Sequence, residues 1–220
     1  MMPPESTPGF RMFAAGSIAV LAFSLILWIA LVTANTQASA EFPLNCVCGK
    51  LDAPIRLDVF SDFQCPKCRA FYMETISQLR ISYAPAGKVC VFYHEFPLKM
   101  HAYSREAARY SLAAQRIGRK QWLAVLDALY EKQAQWSLDG KIESALRGAL
   151  SAEDLSRINK ILKDPSIDRE IDQDIALGDK KGVPGTPTIF VTVRNMEQPK
   201  APYAPYLIWK DYLDSLLKIS

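Results

Sequence analysis

The chain has 220 residues, half of them hydrophobic, with a formal net charge of +3 at pH 7. That length suits one domain carrying a sizeable insertion. Its basic residues are scattered among nearly as many acidic ones instead of forming a stripe, which argues against nucleic acid as a partner.

In chain order, a tail (1–11) leads into a segment (12–33) whose core, Met12 to Val32, contains no charged residue. As a helix rising about 1.5 Å per residue it covers roughly 30 Å, the depth of a bilayer's hydrocarbon core. Arg11 precedes it, and Trp28 sits toward the far end, where an interfacial aromatic belongs. Ala38-Ser39-Ala40 has the small-x-small form of a signal-peptidase site. A retained transmembrane anchor and a signal cleaved after Ala40 both remain open, with the length of the run favouring the anchor. Either one exports the rest of the chain, so the expected location is the cell envelope: a periplasmic, extracytoplasmic domain anchored in the inner membrane.

Residues 34–48 read as a linker. Pro54 to Phe60 alternates and is rich in β formers, which predicts a strand. Directly after it comes FSDFQCPKCRAFY, Phe60 to Tyr72, followed by apolar residues at Phe71, Ile76, Leu79 and Ile81 at near-helical spacing. With Pro66 suited to a first turn, the two cysteines fall at a strand-to-helix junction. Ala84 to Lys88 reads as a turn and Val89 to Phe96 as a second strand, parallel to the first because a helix joins them. From Ser104 to about Lys180 the pattern is helical: three amphipathic segments, a fourth capped by Ser151 and a fifth restarted at Asp164-Pro165. Gly182 to Val193 returns to β character, 194–202 reads as a hairpin loop, and 206–220 as a short strand with a closing helix.

Export gives the five cysteines, Cys46, Cys48, Cys65, Cys68 and Cys90, a chemical meaning, because thiols do not persist as spectators in an oxidising compartment. The count is odd, so at least one is left over. Cys65 falls at the amino end of a helix, where free N–H groups and the positive end of the helix dipole favour a thiolate, and Lys67 adds a nearby cation. Its pKa is expected to be lowered. Cys68 falls one turn inside, so the pair suits an attacking and a resolving cysteine. A static disulfide, or half of a zinc site completed by Cys46 and Cys48, are the alternatives. About 120 residues later, Gly185-Thr186-Pro187-Thr188 precedes a strand. A cis Thr186–Pro187 bond there would free the Thr186 backbone to pair with an extended substrate.

FSDFQCPKC, then HEFPLKMHAYS, a helical insertion and GVPGTPTIFV together resemble the DsbA-like branch of the thioredoxin superfamily, over roughly Gly49 to Ser220. The resemblance implies an α/β thioredoxin-like fold, with 49–102 and 182–220 as its two parts and 103–181 as an inserted all-helical subdomain. It implies thiol–disulfide exchange, with Cys65 as nucleophile, Cys68 as resolving cysteine, Pro187 as the cis-proline and Thr186 before it. The family's buried acid in the preceding strand falls on Asp58, which would move protons to or from Cys68; a solvent-facing strand residue is the alternative. The Pro-Lys dipeptide departs from the Pro-His of the best-known oxidases.

Cys46 or Cys48 could bridge to Cys90 if the residues before Gly49 form an edge strand. Cys90 could instead be a small buried apolar residue, and the Cys46–Cys48 pair could exchange electrons with Cys65–Cys68. His94 and His101 read as structural, and Phe71, Tyr72 and Phe96 as packing. The expected function is a thiol–disulfide oxidase acting on exported proteins that carry cysteine thiols, reset by a membrane redox partner. No bound cofactor is needed, because the dithiol is the redox centre. A membrane-tethered reductase or isomerase, or a cysteine-based metal-binding module, are the alternatives.

Overall fold

The computed structural model describes residues 45–201 and 203–219. The tail, the 12–33 segment and the Ala40 site lie outside these residues; among the described residues no helix is long and apolar enough to cross a membrane.

Two strands of β-branched and aromatic residues make the centre of the sheet, β2 (Ile55–Ser61) and β3 (Val89–Glu95). They run parallel, Ile55 opposite Val89 and Ser61 opposite Glu95. Between them lies α1, which opens as α-helix (Pro66–Ala70), widens into a π-helical stretch (Phe71–Ile76) and closes as α-helix (Ser77–Ser82). The strand β4 (Thr188–Val193) pairs antiparallel with β2 on its other side, and β5 (Met196–Glu197) adds to β4 through a turn at Arg194-Asn195. At the opposite edge β1 (Cys46–Cys48) runs antiparallel to β3, giving the order β1-β3-β2-β4-β5. Gly49 is required where the chain leaves β1: its φ is +92°, and a Cβ there would meet the Val89 carbonyl oxygen at 1.9 Å.

Between β3 and β4 the chain forms α2 (Ser104–Ile117), α3 (Arg119–Glu131), α4 (Gln133–Asp139), α5 (Ile142–Leu146), α6 (Ala152–Ile161) and α7 (Ser166–Lys180). Ser151 caps α6 by accepting from the Asp154 N–H. After β5 comes α8 (Tyr206–Ile219).

Strand alternation divides the sheet into two faces. Leu57, Val59, Tyr93, Ile189 and Val191 line one, with α1, α3 and α8 contributing Phe71, Tyr72, Tyr130 and Trp209 to the same buried cluster. The other carries Phe60, Phe96 and Phe190, with Ile175 of α7 packed against them. Gly178 lets α7 approach this face: a Cβ there would meet the Phe96 ring at 2.4 Å.

Three sequence expectations are corrected. The linker ends before Cys46, because Cys46–Cys48 form the edge strand. Residues 206–219 contain no strand; the last strand lies inside the segment read as a hairpin loop, where positive φ at Arg194 and Asn195 turns the chain back. Ile81, two residues beyond buried Leu79 and so across the helix from it, is 70% exposed.

Candidate active site

Cys65 is the N-cap residue of α1, with extended backbone (φ −72°, ψ 119°) and Pro66 at the first helical position. Proline fits there because the missing N–H would have had no helical partner. Cys65 keeps 6% of its surface exposed and Cys68 1%, so only the first sulfur can meet a partner's sulfur.

The loop presenting Cys65 is held by Asp62, a fully buried carboxylate. Its oxygens accept from the Gln64 N–H (2.7 Å), the Leu98 N–H (2.7 Å), His101 Nδ1 (2.8 Å) and the Ser104 hydroxyl. This one side chain joins FSDFQC to HEFPLKMHAYS. The Asp62 N–H donates to Cys68 Sγ at 3.4 Å. From the helical insertion, the Gln133 amide donates to the carbonyls of Phe63 (2.6 Å) and Cys65 (3.1 Å), and Arg69 on α1 donates to the Tyr130 carbonyl at 2.9 Å. The insertion is therefore a brace for the cysteine loop.

Thr186–Pro187 is cis, and the Cys65 thiol donates to the Thr186 carbonyl at 3.3 Å, across 121 residues of sequence. Thr186 Oγ1 is buried without a partner in the resting geometry, and its hydroxyl lies where it can hydrogen-bond the sulfurs.

The two thiols are driven apart electrostatically. Cys65 is lowered to about 6, chiefly by the hydrogen bond from the Cys68 thiol; burial opposes this, and the Cys68 N–H, the Thr186 hydroxyl and the Lys67 N–H reinforce it. Cys68 is pushed well above the usual thiol range, first by burial and then by the neighbouring Cys65.

Two candidate site residues are corrected. Asp58 does not face Cys68. It alternates with Val59 and Ser61, so it lies on the sheet face away from the cysteines, bound to Arg56 (2.6 and 2.8 Å) and to His94 Nε2 (2.9 Å). Those partners hold its pKa down at about 2 against its burial. Lys67 is exposed at the surface, and its contribution to the Cys65 thiolate is its backbone N–H. His94, read as structural, bridges Asp58 and Asp174 Oδ1 (3.0 Å) and so clamps α7 to the sheet. Burial works against its charge, but Asp174 and Asp58 outweigh this and raise it to about 9.

The four-cysteine metal reading is also corrected. Cys46 Sγ, on the edge strand β1, sits 3.3 Å from Cys90 Sγ on β3, in a cluster separate from Cys65 and Cys68, and among the described residues no group of three or more His, Cys, Asp or Glu could hold a metal ion.

Sequence reading missed Asp62, Gln64, Gln133, Ser61, Tyr130 and Glu95. Ser61 Oγ hydrogen-bonds Tyr130 OH at 2.8 Å, and Tyr130 OH meets Tyr93 OH, a buried hydroxyl chain beside Cys68. Opposite Ser61 in the register, Glu95 is buried, and the Ser111 hydroxyl is the group that can hydrogen-bond its carboxylate. Burial pushes its pKa well above the carboxylate range, and the carboxylates of Asp174 and Asp62 add to the rise. The available signal was Asp62 and Glu95 themselves, charged residues placed where the two central strands end.

Comparison with known proteins agrees with this geometry. The family model described as Thioredoxin matches residues 43–204. A Bacillus cereus protein named probable disulfide bond formation protein D is 26% identical over 147 residues, 65% of this chain and 68% of its own length. The crystal structure of Wolbachia pipientis alpha-DsbA1 superposes with a TM-score of 0.64 at 19% identity, covering 82% of this chain and 98% of that one. The catalytic domain of Proteus mirabilis ScsC superposes with a TM-score of 0.64 at 21% identity, covering 84% and 96%. The chain belongs to the thioredoxin family, and the relatives and structures it resembles include a disulfide bond formation protein and DsbA proteins.

Proposed function

We propose that the chain is an oxidase that introduces disulfides into exported proteins in the cell envelope, with 12–33 as its inner-membrane anchor. The observation that carries this reading is the asymmetry of the pair: Cys65 at a helix N-terminus with a pKa of about 6, beside a buried Cys68 that holds its proton. A stabilised thiolate favours the reduced pair over its disulfide, so the disulfide readily passes on its oxidising equivalents.

The reaction starts from a Cys65–Cys68 disulfide. A substrate thiolate attacks Cys65 Sγ, and Cys68 leaves and takes up a proton. A second substrate thiolate attacks the substrate sulfur of the mixed disulfide, and Cys65 departs as a thiolate. Two substrate thiols are oxidised, and the dithiol left behind is reset by a membrane redox partner. Thr186 and Pro187 shape the groove, with the Thr186 backbone pairing an extended substrate. Leu138 and Met100, 81% and 82% exposed, offer apolar surface on segments tied to the 62–64 loop, which suits unfolded chains.

Equilibration with glutathione tests the direction. The expected potential lies above the roughly −270 mV of thioredoxin, toward the roughly −120 mV of strong oxidants. A value at or below −270 mV replaces this reading with a reductase. Trapping with Cys68→Ala in cells is expected to link exported proteins to Cys65.

A further inference from the structure

The sulfurs of Cys46 and Cys90 are 44 residues apart in sequence and 3.3 Å apart in space. Both residues are 1% exposed. An irregularity in the β1–β3 pairing brings them together. Cys46 lies opposite Phe92 and Cys48 opposite Val91, so the register slips by one residue between the two cysteines. Residues two apart in a regular strand share a face; the slip sends these two to opposite faces. Cys46 joins a small cluster with Cys90, Phe92 and Ala53, whereas Cys48 is buried in the main core. The Arg56 guanidinium closes over the Phe92 ring of this cluster at 3.8 Å.

We propose that Cys46 and Cys90 form a second disulfide, separate from the redox pair, that staples the edge strand β1 to β3 and leaves Cys48 as the single unpaired thiol. Sulfurs already in contact need only small side-chain rotations to bond. Strand β1 is three residues long and paired on one side only, so a covalent link to β3 would add to the hold that the buried Val47 and Cys48 side chains and the Arg119 bond to the Val47 carbonyl already give it.

Once β1 has docked, the two thiols are unequal. Cys46 is lowered, first by the Cys90 thiol and, against burial, by Arg119 and Arg56; Cys90 is raised, first by Cys46 and then by burial. Burial pushes Cys48 up to about 12, keeping it out of exchange. The oxidant is a disulfide of the kind this family handles, the Cys65–Cys68 bond of a second copy. While β1 is still open, the Cys46 thiolate attacks Cys65 Sγ of that copy and Cys68 leaves. Cys90 then gives up its proton and attacks Cys46 Sγ, and Cys65 leaves. One disulfide is lost and one formed; the two electrons and two protons given up by Cys46 and Cys90 end on Cys65 and Cys68.

The test uses the full chain in detergent with Cys65→Ala and Cys68→Ala, so its outcome is independent of the redox pair. The protein is unfolded and refolded in oxidised glutathione, alkylated under denaturing conditions and digested. Expected are one free thiol, at Cys48, a peptide linking Cys46 to Cys90, and a melting temperature about 5–10 °C above the reduced form. Three free thiols, a Cys48–Cys90 link, or equal melting of the oxidised and reduced forms would overturn the proposal. Adding Cys90→Ala is expected to abolish the link.

Discussion

Cys65 Sγ and the carbonyl oxygen of Thr186 are 3.3 Å apart, so the first cysteine of the pair and the segment leading into β4 meet in one spot although 121 residues separate them. The thiol donates to the carbonyl. Once the proton is gone, the buried and unpartnered Thr186 hydroxyl is the neighbour able to donate back to the anion. Thr186→Val keeps the shape and removes that donor. The midpoint of Cys65 titration, followed by thiolate absorbance, is expected to rise by about one pH unit. An unchanged midpoint would show that the backbone donors suffice.

In the unmodified chain, alkylation of Cys65 should follow a midpoint near pH 6. The leading cause of that low value is the Cys68 thiol, so Cys68→Ala is expected to move the midpoint up. A midpoint near the ordinary thiol range in the unmodified chain, by rate measurements across pH 4–9, would remove the electrostatic basis of the proposed oxidase.

Asp62 accepts four hydrogen bonds from two separate segments while fully buried. Asp62→Ala strands several of these donors, each worth about 1–3 kcal/mol when buried and unsatisfied. The expected loss is more than about 3 kcal/mol, or roughly 10 °C in melting temperature, together with most of the disulfide-exchange rate. Asp62→Asn, which keeps an acceptor oxygen, is expected to lose less. Full exchange activity in Asp62→Ala would show that the loop needs no such brace.

The Asp58–His94–Asp174 clamp makes stability depend on pH. His94 titrates at about 9 in the fold against 6.5 ordinarily, so its contribution is complete below about pH 6.5 and is lost as pH rises through 9. The size is about 3 kcal/mol at most. Asp58, lowered from 3.8 to about 2, has the opposite sign: its contribution holds above pH 3.8 and is lost as pH falls through 2. Denaturant melts of His94→Gln against the unmodified chain should differ most near pH 6 and converge by pH 10. A difference that stays constant with pH would exclude a charged His94.

Burial raises the pKa of Glu95 against the pull of the Ser111 hydroxyl, so the fold favours its protonated form and loses stability as pH climbs above about 4.5. Glu95→Gln mimics the neutral acid. Its melting temperature relative to the unmodified chain is expected to be higher at pH 8 than at pH 5; the same difference at both values would sink this assignment.

Local chemistry made much of the site legible. A strand-to-helix junction carrying C-x-x-C, with proline at the first helical position, fixes where Cys65 sits and which donors surround it. The parallel pairing of the central strands follows from the helix between them. What misled was register. Asp58 and Val59 are adjacent in sequence yet face opposite sides of β2, so an acid one residue out of phase is on the wrong face altogether. The strand assigned to 206–220 failed for a related reason: β5 is two residues long, too short for any periodicity to reveal.

The sequence by itself determined the local chemistry, two cysteines at a helix start in an order of segments that resembles the DsbA-like branch, because a thiolate is stabilised by groups within a few residues of it. Tertiary structure decided the partners: Asp62 with His101 and Ser104, Gln133 with the cysteine loop, Thr186 with Cys65, Cys46 with Cys90. Those contacts depend on sheet register and on how the helices pack, which are settled by burial across the whole domain and leave little trace in any local stretch.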